Sequence, residues 1–174
     1  MILNSISLIS NSKTSISVGS VDSEYLENMF TSGEHIFLID NENSIIQIVD
    51  ISNSKFSLRG KYEYKSEDFY SLRVVDEYCY IAGGESGIEI LDISDTNKPA
   101  FVKRVKIPAF SIDVSANGDY LYAKDNISYA SSFAINVLKI EEDGGLVLVN
   151  TISVPEHSDF VVKDGVIYYL EVED

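Results

Sequence analysis

A short motif that returns at a fixed spacing, the near absence of helical periodicity, and the order of two markers along the chain together predict an all-β fold, a four-bladed β-propeller. Ile48-Val49-Asp50-Ile51-Ser52 recurs 42 residues later as Ile90-Leu91-Asp92-Ile93-Ser94, and after a further 47 as Val137-Leu138-Lys139-Ile140-Glu141. A degraded copy, Ile6-Ser7-Leu8-Ile9-Ser10, precedes the first by 42 residues. Self-similarity at such a period is the signature of one supersecondary unit repeated in tandem. Between the markers lie short alternating or wholly apolar runs rich in Ile, Val, Tyr, Phe and Ser, separated by Gly, Asn, Asp and Pro, which is the pattern of strands and turns.

Each unit holds four strands, a to d. In the clearest unit they are Phe69 to Val75, Tyr78 to Ala82, Gly87 to Ile93 and Ala100 to Ile107. Four strands in roughly 40–45 residues is the size of a propeller blade. The b strand carries a second marker: His35-Ile36-Phe37, Tyr78-Cys79-Tyr80, Tyr120-Leu121-Tyr122 and Val166-Ile167-Tyr168, each after a Gly or Asp turn. The c marker comes first in the chain and the b marker last. Residues 1–21 therefore hold only c and d strands, and 158–174 only a and b; together they form a closing blade beside internal blades 22–68, 69–110 and 111–157, all in one domain spanning 1–174. Closing a ring with strands from both termini leaves no open edge. Leu72, Val74, Ile112, Val114, Val161 and Val162 of the a strands are expected to fill the centre.

The run Gly87-Ile88-Glu89-Ile90-Leu91-Asp92-Ile93-Ser94-Asp95-Thr96-Asn97-Lys98-Pro99 resembles the LVIVD-type propeller repeat, a Gly-apolar strand ending in Asp-Ile-Ser-Asp and followed by an Asn-x-Pro turn. Tyr78-Cys79-Tyr80-Ile81-Ala82 fits the same unit, and the preceding unit keeps Val49-Asp50-Ile51-Ser52-Asn53. The resemblance implies a β-propeller serving as a binding scaffold, and it carries over no catalytic residue.

Charge narrows the function classes. Among 174 residues, 28 are Asp or Glu and 13 Lys or Arg, a formal charge of −15. Direct nucleic-acid binding is disfavoured, because it needs basic groups to displace counterions from phosphate. The longest apolar runs fall far short of the ~20 residues that cross a bilayer, so no membrane association is expected. Cys79 is the sole cysteine, which excludes an intramolecular disulfide and suits a buried structural role. Met1-Ile2-Leu3-Asn4-Ser5 lacks the basic start and apolar run of a secretory signal, and the expected location is cytoplasmic.

Catalytic chemistry finds little support. The histidines are His35, read as strand packing, and His157, read as a loop residue, and no Gly-x-Ser-x-Gly motif is present. Asp40-Asn41-Glu42-Asn43 places oxygen ligands at alternate positions, faintly like a calcium loop, but lacks the turn glycine and distant bidentate Glu. Gly83-Gly84-Glu85-Ser86-Gly87 leads into a strand rather than a helix and is read as a turn. Neither cofactor nor metal nor enzymatic activity is expected.

In a propeller the b–c and d–a loops emerge on one face. That face gathers acids with interleaved aromatics, and the residues expected to bind a partner are Tyr25, Asp40, Glu42, Glu67, Asp68, Tyr70, Glu85, Asp125, Tyr129, Glu156 and Asp159. Phe69 and Phe110 are expected to turn into blade interfaces. A negative field with exposed aromatics suits a basic partner. The expected function is a non-catalytic protein-binding propeller, most specifically an immunity or inhibitor protein covering the basic active site of a nuclease toxin, as a monomer or in a heteromeric complex. The alternatives are an adaptor or scaffold with another protein partner, and a carbohydrate-active or calcium-dependent propeller enzyme.

Overall fold

The computed structural model describes residues 4–9, 15–21, 26–52, 57–65, 68–115, 118–125, 132–155 and 160–169. These form strands and turns grouped in two compact units, Met1–Tyr64 with Thr96–Pro99, and Lys65–Asp95 with Ala100–Asp174.

The first unit opens with a hairpin of β1 (Asn4–Ile9) and β2 (Ser15–Val21), followed by β3 (Leu26–Ser32), β4 (His35–Asp40), β5 (Ile45–Asp50) and β6 (Ser57–Glu63). The last four make an antiparallel meander in the order β3-β4-β5-β6. Its middle strands are buried on both faces, which is why they read as continuous apolar runs: Ile36, Leu38 and Val49 pack with Ile51 as one cluster, while Phe37, Ile39, Ile46 and Ile48 are also buried. The outer strand β6 is largely exposed except at Gly60. A Cβ there would lie 2.3 Å from the Thr96 carbonyl oxygen, so only glycine lets β6 pass the Thr96–Pro99 turn.

The second unit repeats the meander twice and begins a third copy. β7 (Ser71–Val75), β8 (Tyr78–Ala82), β9 (Ile88–Asp92) and β10 (Ala100–Val105) form one sheet; β11 (Ser111–Val114), β12 (Tyr120–Asp125), β13 (Ser132–Ile140) and β14 (Leu146–Pro155) form the next. β15 (Phe160–Lys163) and β16 (Val166–Tyr169) are a two-stranded sheet. Each complete sheet has the sequential strand order expected of a blade. The strands expected of the closing blade form two separate hairpins, β1–β2 and β15–β16.

The first strands of the three sheets in this unit stand side by side, tied by side chain to backbone. Ser71 Oγ accepts from the Ile112 amide at 3.0 Å, and Asp113 accepts from Arg73 Nε at 3.3 Å and from the Val162 amide at 2.9 Å. Between the two complete sheets Tyr80, Ala82, Ile88, Ile90, Ala109, Ile112, Leu121, Ala123 and Leu138 form the core. A second cluster of Tyr122, Phe133, Ile135, Val154 and Phe160 packs the next interface. Of the a-strand residues expected at the centre, Leu72 and Ile112 are buried, Val74, Val114 and Val162 half-buried, and Val161 exposed. Val161 departs from the expectation because alternation along β15 turns it away from its buried neighbour Phe160.

The repeated Asp-Ile-Ser has a local cause. As each c strand ends, the Asp carboxylate accepts the amide two residues on: Ser52 N to Asp50 at 2.7 Å, and Ser94 N to Asp92 at 2.8 Å. This is the Asx turn, which stops a strand by capping its next free donor. Where the third unit has Lys139 and Glu141 instead, the two side chains pair at 3.1 Å.

One buried carboxylate on β9 is paired with a neighbouring strand. Glu89, fully buried on β9, binds Arg104 of β10 and accepts the Lys65 amide. Cys79 is buried as expected, and desolvation pushes its thiol far above the ordinary range, an unreactive state. Removing one partner of a buried ion pair strands the other charge and costs roughly 3–5 kcal/mol. Arg104→Met should therefore lower stability in urea unfolding by about 3 kcal/mol, whereas Arg104→Met combined with Glu89→Met should recover most of the loss.

Asp50 supplies a pH test. Hydrogen bonds from Arg59 and then from Ser52 hold its carboxyl well below the usual carboxylate range. A carboxylate depressed in the folded state stabilises at pH values above its unfolded pKa of ~4, and that contribution is lost as pH falls through the folded value. Carbon-detected NMR titration should find Asp50 ionised below pH 3, and Arg59→Met should move it back towards the ordinary range.

Candidate functional site

Among the described residues, a concavity lies in the second unit, at the end of the blades formed by the a–b and c–d turns. It is a groove of about 550 Å³ lined by Val75, Asp76, Glu77, Tyr78, Gly118, Asp119, Ile140, Glu141 and Glu142. Each wall is a turn whose conformation the sequence dictates. Asp76 (φ 50°) and Gly118 (φ 75°) adopt the left-handed backbone that reverses the chain between a and b strands. The c–d turn is closed by the Glu141 amide donating to the Gly145 carbonyl at 2.8 Å and the Gly144 amide to the Glu141 carbonyl at 2.9 Å.

Close packing holds these turns together across the two sheets. A Cβ on Gly144 would lie 2.4 Å from the Tyr78 ring, and one on Gly118 would lie 2.9 Å from Val75 Cγ1. The Tyr80 hydroxyl, buried beneath, donates to the Gly144 carbonyl at 3.0 Å. Its burial and the neighbouring Tyr78 push Tyr80's own ionisation far above the ordinary range, so it remains a donor at any physiological pH. The result is a fixed trough with an aromatic ring and aliphatic groups on its walls and five carboxylates at its rim.

No lining residue is basic. Lys139, beside the c–d turn, already pairs with Glu141, whose carboxylate raises its pKa. Carboxylates accept two hydrogen bonds per oxygen, and an aromatic wall takes C–H faces, so the trough suits a ligand rich in donors and without negative charge.

The residues expected to bind a partner are distributed differently. Tyr25, Glu67, Tyr129, Glu156 and Asp159 lie outside the described residues. Asp40 is 2% exposed, and its carboxylate is occupied by Asn43, which donates its amide at 3.0 Å and its Nδ2 at 2.9 and 3.1 Å. It is a turn cap. Asp125 is also buried, at the end of β12. Glu42 is exposed on the first unit.

Three of the expected residues do come together, in the second unit. Asp68, Tyr70 and Glu85 are exposed; Tyr70 packs edge-on to Phe110 with ring centroids 4.9 Å apart and lies against Gly84. Desolvation first, then Asp68 and Glu85, raise the Tyr70 pKa. Phe69 is buried and Phe110 half-buried, as expected of interface residues. The groove residues were legible only as turns: Asp76-Glu77 and Gly118-Asp119 stand out as the turns before the b-strand markers, and no periodicity says that Glu141-Glu142 meets them.

Four-stranded antiparallel meanders repeated along the chain, with the first strands of the second unit abreast, are blades, and the fold is of the β-propeller class. Residues 27–64 and 68–107 match the LVIVD repeat, so the chain carries two adjacent LVIVD repeats. No curated protein matches the chain. Among solved structures, a protein provisionally named a 6-phosphogluconolactonase from Bacteroides uniformis is 18% identical with a TM-score of 0.65, covering 90% of this chain and 46% of its own. The periplasmic gluconolactonase PpgL of Pseudomonas aeruginosa is 9% identical with a TM-score of 0.62, covering 93% and 46%. The hydrazine synthase of Kuenenia stuttgartiensis is 12% identical with a TM-score of 0.65, covering 90% and 46%. The chain thus spans less than half the length of these structures, and at such identities the likeness is one of fold.

These findings correct the expected function. The structural relatives are named for sugar-lactone chemistry and hydrazine synthesis rather than toxin inhibition. The acidic face that motivated an immunity or protein-binding role also loses Asp40 and Asp125 to burial. Spacing alone could not reveal that Asp40 is spent on its own turn. A net hydrogen bond is worth about 1 kcal/mol, so Asp40→Ala should destabilise the chain by roughly 1–2 kcal/mol in chemical unfolding while Glu42→Ala changes stability by less than about 0.5 kcal/mol.

Proposed function

We propose that the chain is a carbohydrate-directed propeller module that holds a neutral polyhydroxylated ring, a sugar or sugar lactone, in the groove of its second unit. The observation that carries this reading is the composition of the groove: Asp76, Glu77, Asp119, Glu141 and Glu142 beside the ring of Tyr78, with no basic lining residue. Adjacent hydroxyls of a sugar are donors at the spacing of carboxylate oxygens, and the apolar face of a pyranose packs on an aromatic ring. The names of the lactonase relatives support the same substrate class.

Charge sets the direction of selectivity. A phosphorylated or carboxylated sugar would enter a field of five carboxylates, and each unit charge about 4 Å away costs on the order of 1–4 kcal/mol between water-like and surface dielectrics. The groove therefore favours the neutral lactone over its 6-phospho form. It also releases product: hydrolysis turns a neutral lactone into an anionic acid, which the rim repels. An enzymatic role would use a rim carboxylate as general base for the attacking water.

The test is saturation-transfer NMR and a lactone-opening assay with glucono-1,5-lactone and its 6-phosphate. Binding of the neutral ring, with at least tenfold weaker binding of the phosphate form and loss of both signals in Tyr78→Ala and Glu77→Gln, is expected. Equal or tighter binding of the phosphorylated form, or no binding of neutral sugars or lactones at millimolar concentration, would overturn the reading. Opening of the lactone above background that disappears in Glu141→Gln would add catalysis to binding.

A further inference from the structure

The groove of the second unit has a neighbour. A second concavity of about 440 Å³ is lined by Lys139, Ile140, Glu141, Glu142 and Asp143. Ile140, Glu141 and Glu142 also line the groove, so the c–d turn between β13 and β14 is a wall of both. Each volume falls within the range of sites that hold small ligands. Three residues of extended chain reach roughly 10 Å, a distance that two linked sugar rings span.

The shared wall is held still. Within the turn Asp143 accepts the Gly145 amide at 2.8 Å, and from β10 Lys103 Nζ reaches to 3.7 Å from the Asp143 carboxylate. Lys139 Nζ donates to Glu141 Oε1 at 3.1 Å, while Tyr80 and Tyr78 fix Gly144. A ligand that meets one side of the turn therefore finds the other side already in place. The two sides differ in chemistry. The charged side chains lining the groove are carboxylates, which when ionised only accept. The second concavity adds the half-exposed ammonium of Lys139, with three donors of which Glu141 takes one. It can donate to a ring or glycosidic oxygen, whereas the groove reads hydroxyls. Three carboxylates against one ammonium leave the second concavity net negative, so a sugar acid is disfavoured there as well.

We propose, building on the carbohydrate reading of the groove, that its ligand is a neutral saccharide of at least two linked rings, one against Tyr78 and the next across the c–d turn beside Lys139. Lys139 is then the specificity residue of a second subsite. Linking the rings makes the second contact intramolecular. The first ring has already given up its free translation, so even a weak second contact raises affinity well above that of one ring. The turn thereby sets a preference for ligand length, which the groove by itself does not supply.

Amide-detected NMR titration of the full chain with freshly dissolved glucono-1,5-lactone, and with its two-ring counterparts cellobiono- and maltobiono-1,5-lactone, tests this. At least one two-ring lactone should bind about tenfold or more tightly than the one-ring lactone. It should shift the amides of Lys139 and Asp143 together with those of Asp76 and Gly118, whereas the one-ring lactone shifts only the latter pair. In Lys139→Ala, with its fold checked by circular dichroism, the ratio of two-ring to one-ring affinity should fall below about threefold; Lys139→Arg, which keeps a donor, should preserve it. If the one-ring lactone binds in the groove and neither two-ring lactone binds more tightly, the second subsite is overturned and the carbohydrate reading stands. No binding of any of the three overturns both. A tenfold ratio that persists in Lys139→Ala, without shifts at Asp143, also overturns the second subsite.

Discussion

One carboxylate joins the first strands of all three sheets of the second unit. Asp113, on the first strand of its sheet, accepts from Arg73 on the first strand of the sheet before and from the Val162 amide on the first strand of the hairpin after. Blades are joined to one another mainly by side-chain packing, which is strong but non-directional and tolerates sliding. A charged acceptor reaching both neighbours fixes the strands' relative heights, and the apolar clusters around Ile112 and Phe160 can then lock in a single arrangement. The groove inherits that precision, because its walls are the turns at the far ends of these same sheets.

The core and the turns obey opposite rules, and this is why the fold was readable and the site was not. The second and third strands of each blade are buried on both faces, so their residues must be apolar all along, and Ile36 to Ile39 or Tyr80 to Ala82 announce themselves. The Asp-Ile-Ser markers are legible for an equally local reason, a carboxylate capping an amide two residues away. A site made from three turns of two repeats has no such local signature. Glu141 comes beside Asp76 only because Gly144 lets the c–d turn settle onto Tyr78, a contact across more than sixty residues.

Acidity proved a poor guide to function because the acids do several different jobs. Asp40, Asp50 and Asp92 hold turns; Glu89 and Asp113 sit within ion pairs and hydrogen-bond networks; the carboxylates of the groove face a concavity. Counting charge by loop merges these roles. Burial separates them, and it moves attention from the face expected to meet a protein to the opposite one, where ring, aliphatic wall and carboxylates converge.

The Asx turn at the end of the third strand carries a consequence for how such a chain changes over time. Its stop signal is written within three residues and depends on no neighbouring blade. A duplicated repeat therefore arrives with its own punctuation and can be inserted without redesigning the units beside it. The third unit shows the latitude this allows: the capping Asp has been replaced, a Lys–Glu pair now closes the same position, and the strand still ends in register. Number of repeats and sequence of repeats can thus drift separately, so that chains of very different length draw on one blade.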